Sequence, residues 1–412
     1  MPIDAPENSG NKKSSKLLFP AGFLWGVATS AYQIEGKNSN ADWWSWEQQG
    51  KTRESSGNAC AYWDFWKKDH ELLSELGANS FRLSLEWSRI EPSEGQFSAA
   101  AIRDYREILQ DLKKRNIKTI VTFWHWTSPI WFAEKYGLHK KESVEKFLRY
   151  GEKIMDELGD LIDIVVTINE PMVPLGMGFL TGKFPPGFKN PYRFFRAAKN
   201  LAQIHKGLYK SIHAKRNIPV GITYLYNYYF SAGNNILEKI ANSAAKWFRV
   251  NFFSRKIKGF EDYVGIDYYR LVRMKFDPKN SNYFGFRIEE DKNNVMGWIS
   301  YPEGIYRVLM EVSKESKLPI YIMENGRPTN AGLEDAERTE FLNSHLAYVG
   351  KAIQEGADVR GYLHWSLLDN YEWLEGFRPR FGLVEIDYQT LERKPRKSFY
   401  AYKKIIENNG LE

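Results

Sequence analysis

The feature that most constrains the fold is an eightfold alternation of short apolar segments with longer amphipathic ones. The longer segments space their apolar residues as a helix does, for example over 143–158 and 335–356. The short segments are typical of buried strands and cover residues 23–29, 80–86, 117–125, 163–170, 218–225, 263–269, 318–324 and 359–367. Apolar strands that alternate with helices predict a parallel sheet covered on both faces. We therefore predict an α/β fold, an eight-stranded (β/α)8 TIM barrel.

A doubly wound parallel sheet is the alternative architecture for this alternation. No GxGxxG motif follows the first predicted strand, which disfavours a dinucleotide-binding sheet. No linker rich in proline, glycine or serine divides the chain, and no internal repeat is visible. We expect a single barrel domain over residues 17–412, preceded by a polar, disordered tail at residues 1–16.

Charge and composition limit the partners that this chain is expected to have. The 58 basic and 51 acidic residues give a net charge of +7, but they are mixed along the chain. This mixing favours a solvated basic surface over nucleic-acid binding. No apolar run reaches about 18 residues, so no membrane span is expected. The single cysteine and the lack of an apolar centre in the first segment predict a cytoplasmic protein.

Polar and aromatic residues stand at or near the ends of the predicted strands. In a TIM barrel the chemistry lies at the carboxyl ends of the strands, at one mouth. The residues at these positions are Gln33, Arg82, Glu86, Trp87, His125, Trp126, Asn169, Glu170, Asp267, Tyr268, Tyr269, Glu324, Trp365, Glu372 and Trp373. A barrel would bring these side chains, which are distant in sequence, to the same mouth.

Two of these residues, Glu170 and Glu324, are acids at the ends of apolar strands. A lone acid at a strand end is most often a solvated loop residue or an ion-pair partner. Here each acid ends an apolar strand and precedes a turn residue, Pro171 or Gly326. Glycoside hydrolysis requires two carboxyl groups, about 5–5.5 Å apart for retention of configuration and about 6.5–9.5 Å apart for inversion. The sequence predicts the pair and leaves the separation open.

The other strand-end residues have structural explanations as well as functional ones. His125 alone is more typical of packing than of catalysis. Arg82 could simply neutralise a buried acid, and a nearby cation would also keep a nucleophilic carboxylate ionised. The aromatic content of 15% suits either a sugar site or a large core. The seven histidines form no HxH or HExxH motif, so we expect no metal and no cofactor.

Six segments resemble, in order, the motifs of glycoside hydrolase family 1, the β-glucosidase and β-galactosidase family of clan A. They are "FPAGFLWGVATSAYQIEG" (19–36), "FRLSLEWSRIEP" (81–92), "TINEP" (167–171), "MGWISYPEG" (296–304), "YIMENG" (321–326) and "GYLHWSLLDNYEWLEGFRPRFGLVEID" (361–387). The resemblance extends over almost the whole chain. It implies a shortened member, because the region between "GITYLYNYY" (221–229) and "GIDYY" (265–269) lacks much of the usual insertion.

The resemblance implies a role for each residue of the catalytic centre. Glu170 matches the general acid/base and Glu324 the nucleophile of a retaining double displacement through a covalent glycosyl-enzyme. Arg82 and Tyr269 match the groups that hold and tune the nucleophile. Asn169 is placed to bind the 2-hydroxyl of the sugar, a contact that strengthens in the transition state.

The resemblance also implies the substrate-binding residues and the partners. Gln33, His125, Asn169, Glu372 and Trp373 match positions that hydrogen-bond the sugar, and Trp365 matches the platform beneath it. Trp126, next to His125, is predicted to join them. The expected substrate is a small β-glycoside or oligosaccharide that ends in glucose, galactose or fucose.

Three points depart from this expectation or stay open. Asp267 stands where the family usually has asparagine. The alternative to a glycosidase is a catalytically weak or inactive barrel that binds sugar. The oligomeric state is open.

Overall fold

The computed structural model describes residues 16–231, 235–280 and 286–412. Its main sheet contains the eight predicted strands, which we number β1 to β8 in chain order. They are Leu24–Ala28, Ser80–Ser84, Lys118–Trp124, Ile164–Ile168, 220–225, Val264–Tyr268, Ile320–Asn325 and Val359–Trp365. The predicted tail at residues 1–16 lies outside the described residues except for Lys16.

All neighbouring strands pair in parallel and the sheet closes into a barrel. The pairs run from β1 with β2 through β4 with β5, then from β6 through β8 and back to β1. Strand β5 is interrupted at Ile222, so that Val220–Gly221 pairs with β4 and Thr223–Leu225 pairs with β6. The predicted TIM barrel is therefore confirmed.

One helix follows each strand on the outside of the barrel, and we number these helices α1 to α8. They are Tyr62–Leu76, Ala99–Lys114, Ser143–Leu158, Pro191–Lys215, Ile236–Lys246, Pro302–Ser316, Ala336–Gln354 and Lys397–Glu407. Helix α5 continues through a wide turn at Trp247–Asn251 into a short helix, Phe252–Ile257. None of the helices of the described residues is long and apolar enough to cross a membrane.

Alternate strand residues fill the barrel interior and the layer under the helices. Ile120 and Val166 belong to the interior cluster, while their neighbours Val121 and Val165 pack in the outer layer. Burial on both faces explains why the strands are almost continuously apolar. The barrel interior is thus solid, and the space for a ligand lies at its end.

Shorter elements complete the loops and the ends of the barrel. Leu17–Leu18 pairs with Gly410–Leu411, and Val384–Ile386 pairs with Arg393–Pro395. A three-stranded sheet of Tyr228–Phe230, Leu271–Phe276 and Phe286–Ile288 follows β5 and β6. The short loop helices are Ala31–Ile34, Asp42–Gln48, Trp87–Ile90, Ile130–Lys135, Met172–Leu175, Gly159–Leu161, Gly176–Thr181, Pro278–Asn280 and Trp373–Glu375.

Candidate active site

A cavity of about 270 Å³ lies at the carboxyl ends of the barrel strands. Nine of the eleven predicted site residues line it, namely Gln33, His125, Trp126, Glu170, Tyr269, Glu324, Trp365, Glu372 and Trp373. The other two, Arg82 and Asn169, lie behind this lining and bind residues that belong to it. The barrel therefore gathers all eleven predicted residues into one site.

Glu324 is the most firmly held acid of the site. It lies within β7, and its side chain accepts hydrogen bonds from Arg82 Nη1 on one oxygen and from the Tyr269 hydroxyl on the other, both at 2.6 Å. Burial raises the pKa of Glu324, while Arg82 and Tyr269 oppose this rise because they stabilise the charged form. Glu324 is thus the acid of this site best suited to stay ionised.

Glu170 has a different environment from Glu324. It lies two residues beyond β4 in a left-handed backbone conformation, with φ of 41°, and its N–H donates to the Thr223 carbonyl at 3.1 Å. Such a conformation is uncommon outside glycine and is found often at functional sites. Burial raises the pKa of Glu170 well above its usual range, and the charges of Asp267 and Glu324 raise it further. Glu170 is therefore suited to carry a proton.

The two glutamates and Asp267 form a compact group of carboxyls. One oxygen from each of Glu170, Asp267 and Glu324 lies within 4.8 Å of the others. Such a group could attract a cation, but the Arg82 guanidinium already binds Glu324 and stands 3.8 Å from Asp267. A side chain thus supplies positive charge at this point.

Asn169 connects the catalytic centre to His125. Its amide oxygen accepts hydrogen bonds from Arg82 Nη2 and from the Thr223 hydroxyl, which fixes the amide so that its nitrogen donates to His125 Nε2 at 3.1 Å. Burial and Arg82 lower the pKa of His125, so this imidazole is neutral. With Nε2 accepting, Nδ1 carries the proton, and it has no partner among the described residues.

Gln33 and Glu372 form a second polar pair on the cavity wall. The Gln33 amide nitrogen donates to Glu372 at 3.2 Å and to the Tyr371 carbonyl at 2.9 Å, and its oxygen accepts from the Ser30 hydroxyl at 2.7 Å. Burial raises the pKa of Glu372 to about 8, with a further contribution from the charge of Glu324. The pair offers a carboxyl group, held by an amide, to hydroxyl groups of a ligand.

Aromatic rings form the rest of the wall. The ring of Trp373 lies 4.8 Å from that of Trp126 and stacks on Tyr32 at 5.9 Å, while Trp365 stacks against His125 at 6.1 Å. Trp126 also donates from its indole N–H to the Asn169 carbonyl at 3.0 Å. Packed rings beside polar groups suit a sugar, which presents both C–H faces and hydroxyls.

Three strand-end residues do not join the cavity. Glu86 accepts hydrogen bonds from Ser88 and Thr127, Trp87 packs against aromatic residues under the helices, and the Tyr268 hydroxyl donates to the Tyr301 carbonyl. Their side chains support loops and the outer core. Position at a strand end was therefore not sufficient to identify a site residue.

Several residues of the site were not predicted. Thr223, on β5, holds both Asn169 and the Glu170 backbone, and its strand carried no motif. Met296 and Trp298 line the cavity mouth and belong to "MGWISYPEG", a motif that was recognised without a residue role. Their position in that motif was the signal that could have identified them.

The chain matches known glycosidases over nearly its whole length. The sequence pattern of the family described as glycosyl hydrolase family 1 matches residues 15–257 and 254–411. β-Glucosidase A of Thermotoga maritima is 32% identical over 440 residues, which cover 96% of this chain and 99% of that protein. A β-galactosidase of Sulfolobus acidocaldarius is 31% identical over 479 residues, covering 96% of each.

Solved structures agree with these sequence matches. A β-glycosidase from Pyrococcus horikoshii superposes with a TM-score of 0.90 at 40% identity, covering 97% of both chains. The β-glucosidase from Thermotoga maritima in complex with glucoimidazole superposes with a TM-score of 0.90 at 31% identity, covering 96% of this chain and 100% of that one. The chain, short at 412 residues, therefore belongs to glycosyl hydrolase family 1 and is a glycoside hydrolase.

Proposed function

We propose that this protein is a retaining exo-β-glycosidase that releases a terminal glucose, galactose or fucose from a small β-glycoside or oligosaccharide. The observation that carries the proposal is the short distance between the two glutamates, whose nearest oxygens lie within 4.8 Å. Inverting enzymes separate their carboxyls by about 6.5–9.5 Å to admit a water molecule, whereas retaining enzymes need only about 5–5.5 Å. The spacing supports direct attack by one carboxylate.

In the first step Glu324 attacks the anomeric carbon and Glu170 protonates the leaving oxygen. Arg82 and Tyr269 hold Glu324 ionised and in a fixed orientation. Glu170 receives no such donors from the residues that the structure describes, and its raised pKa keeps the proton available until the glycosidic bond breaks. The product of this step is a glycosyl ester on Glu324 and a free aglycone.

In the second step Glu170 acts as a base towards water. Esterification removes the negative charge of Glu324, which is one of the charges that raise the pKa of Glu170. Glu170 can then exist as a carboxylate and take a proton from the water that attacks the same carbon. Two successive inversions at this carbon, from opposite faces, restore the β configuration.

The wall of the cavity is proposed to bind the terminal sugar. Gln33 and Glu372 supply one group of hydrogen bonds, and His125, with Asn169 held behind it, is proposed to supply another nearer to the glutamates. Trp365 and Trp373 supply apolar ring faces. Because the relatives are named for glucosides and galactosides, these sugars are the first substrates to test. A sugar-binding barrel without catalysis is not favoured, because the two acids stand ready at a catalytic distance.

The mechanism is tested by comparing the two glutamates. With p-nitrophenyl β-glycosides, Glu324→Ala should lose hydrolysis by several orders of magnitude, because no ester can form. Added azide should restore turnover and give the α-glycosyl azide, since a single displacement inverts the anomeric carbon. Turnover on no β-glycoside by the wild type would contradict the proposal.

The matched variant, Glu170→Ala, should behave differently. Substrates with poor leaving groups should slow by about 10²–10⁴-fold, since general acid catalysis is lost. Activated aryl glycosides should still form the glycosyl-enzyme, and azide should then give the β-glycosyl azide. Azide products of the same configuration from both variants would contradict the assignment of two separate roles. A panel of glucoside, galactoside, fucoside and mannoside would establish the preferred sugar.

A further inference from the structure

The proposed mechanism uses two carboxyls, but the site contains a third one, Asp267. This residue lies in β6, and its side chain is fully buried. Neither of its carboxyl oxygens makes a hydrogen bond of normal geometry with the described residues, although the side chains of Thr223 and Glu170 adjoin it. A buried carboxylate without hydrogen bonds is costly, so an ionised Asp267 needs another source of stabilisation.

Arg82, a cation in contact with this group, is already engaged elsewhere. Arg82 donates to Glu324, Asn169 and Thr122, and it stands 3.8 Å from Asp267. One positive charge can balance Glu324, but it cannot also balance negative charges on both Glu170 and Asp267. The charged or titratable side chains that influence these two acids are Arg82, Arg249, Tyr269 and Glu324. Arg249 lowers the pKa of Glu170.

We propose that Asp267 and Glu170 form a buried carboxyl pair that holds one proton between them above neutral pH, so that Asp267 keeps Glu170 in its acid form. The proposal rests on the proposed function, since it assigns a consequence to the acid role of Glu170. Two carboxyls a few ångströms apart cannot both ionise easily, because each negative charge opposes the other. Asp267 is thus a positioning residue for a proton and does not itself need to touch the substrate.

The geometry also determines which member of the pair is charged. Asp267 is the nearer to the guanidinium of Arg82, so the negative charge of the pair resides mainly on Asp267 and the proton on Glu170. When Glu170 passes this proton to the leaving oxygen, Glu324 loses its charge by forming the ester. The net charge of the buried group, counted with Arg82, is −1 before and after this step. The negative charge therefore moves from Glu324 to Glu170 without any change in the total charge of the group.

The Asp267→Asn variant tests the pair through its pH profile. Asparagine has the same size but carries no charge, so the pKa of Glu170 should fall by about two pH units. The alkaline limb of kcat/KM should move to lower pH by that amount. The acidic limb, which reports ionisation of Glu324, should stay in place because Asp267 is neutral there. If both limbs of the Asp267→Asn profile stay at their wild-type pH, with or without a uniform loss of activity, the proposal is overturned.

Glu261 provides a matched control. It precedes the start of β6 by three residues, so it is separated from Asp267 by roughly 20 Å along the strand direction. Burial raises its pKa to about 8, so it titrates in the range of the alkaline limb. Glu261→Gln also removes one carboxyl group, from the segment just before the same strand. The pH profile of kcat/KM of this variant should match that of the wild type. A shift as large as that of Asp267→Asn would show a general charge effect and would overturn the proposal.

A measurement without turnover separates this inference from the proposed function. Carboxyl-¹³C-labelled glutamate gives the titration of Glu170 by NMR, with the resonance assigned by its loss in Glu170→Gln. In the wild type the carbon should titrate in two separate steps, as coupled groups do. In Asp267→Asn it should titrate in one step at lower pH. A single-step wild-type titration, or two steps that persist in Asp267→Asn, would overturn the pair even if hydrolysis were established. Two steps that become one in Asp267→Asn would support it even if hydrolysis were absent.

Discussion

At the scale of single residues, the site distinguishes two glutamates by their hydrogen bonds. Glu324 accepts from Arg82 and Tyr269, whereas Glu170 faces two other carboxyls. Both are buried, so desolvation raises the pKa of each, and only Glu324 receives donors that oppose the rise. The surroundings thereby favour the charged form more at Glu324 than at Glu170.

The hydroxyl of Tyr269 is expected to determine the lowest pH at which the enzyme is active. In Tyr269→Phe, Glu324 loses a hydrogen bond that lowers its pKa. The pKa therefore rises, and the acidic limb of kcat/KM should move to higher pH. A hydrogen bond to a charged group contributes about 1.5–3 kcal/mol, so kcat/KM should fall by about 10- to 100-fold. Rates measured from pH 4 to pH 9 would show both effects.

Tyr263→Phe is the control for this prediction. Tyr263 precedes β6, and its hydroxyl donates to the Val165 carbonyl at 2.8 Å within the barrel, so the same atom is removed without any contact to Glu324. We expect lower thermal stability but an unchanged acidic limb. If Tyr269→Phe and Tyr263→Phe had the same pH profile, the tuning of Glu324 by Tyr269 would be wrong.

The sequence indicated the residues to which we assign the chemistry more clearly than the residues that hold them. Glu170 and Glu324 could be recognised because an acid at the end of an apolar strand has no packing reason to be there. Thr223 gave no such signal, because a threonine is ordinary in a strand. Asp267 was noticed only as a departure from the family. Its lack of hydrogen bonds depends on neighbours that no local pattern specifies.

At the scale of elements, the turns that follow the barrel strands position the residues of the site. Trp126, Glu170 and Trp373 all have left-handed backbones, with φ of 76°, 41° and 51°. Two of these follow β3 and β4 directly, and the third lies in the loop after β8. A conformation of this kind turns the chain sharply at the end of the strand, which directs the side chain towards the cavity.

Gly326, the residue that follows β7, lies close against the backbone of Trp365. At Gly326 a Cβ atom would lie 2.0 Å from the carbonyl oxygen of Trp365, a distance that requires the backbone to move. In Gly326→Ala we expect β7 and β8 to separate at their ends, which displaces Glu324. Overpacking typically costs about 1–3 kcal/mol, and kcat should fall by at least about 10² as the nucleophile moves. Thermal unfolding and kcat measure the two effects.

Gly176→Ala is the matched control for this substitution. Gly176 lies in a helical turn near the site with an ordinary negative φ, and a Cβ atom there has nothing within 4 Å. Alanine should leave kcat unchanged and keep or slightly raise stability, since it favours a helix more than glycine does. An active and stable Gly326→Ala would show that the carbonyl of Trp365 can move without affecting the nucleophile.

All eight strands were predicted because burial on both faces gives them a continuous apolar pattern. The predicted ends of the strands were less accurate than the strands themselves. For example, the strand predicted over 163–170 ends at Ile168, so Glu170 lies in a turn. The three-stranded sheet beyond β5 and β6 was missed. Its strands are short and half-exposed, and their pairing depends on tertiary contacts that a single strand pattern does not encode.

At the scale of the whole molecule, several acidic side chains are buried, which disfavours their charged form. Burial raises the pKa of Glu35 and Asp42 to about 7 and that of Glu261 and Glu372 to about 8. The buried histidines have lowered pKa values, so they are neutral above pH 7 in the folded and the unfolded chain alike. Near pH 7–8 the acids therefore dominate how stability depends on pH.

Stability should decrease between pH 7 and pH 8. A folded acid with a raised pKa holds a proton that the unfolded chain has already released, so unfolding releases protons and becomes easier as pH rises. The four acids together hold about two more protons than the unfolded chain over this interval, which corresponds to about 2–3 kcal/mol. The melting temperature, measured by calorimetry at constant ionic strength, should fall by several degrees.

Two variants and a second measurement make this expectation specific. Glu261→Gln removes a titrating group outside the cavity, and Glu372→Gln removes one within it. In each variant the free energy of unfolding should therefore decrease less between pH 7 and pH 8, by an amount that corresponds to up to one proton. Calorimetry in buffers of different ionisation enthalpy should count about three protons released on unfolding near pH 7.5, two from these four acids and one from the pair of Glu170 and Asp267, and about one fewer in each variant. A melting temperature that stays constant or rises from pH 7 to pH 8 would show that these acids are already ionised in the folded protein. Glu372 would then meet its sugar as a carboxylate throughout the working range, accepting hydrogen bonds from hydroxyls without first losing a proton.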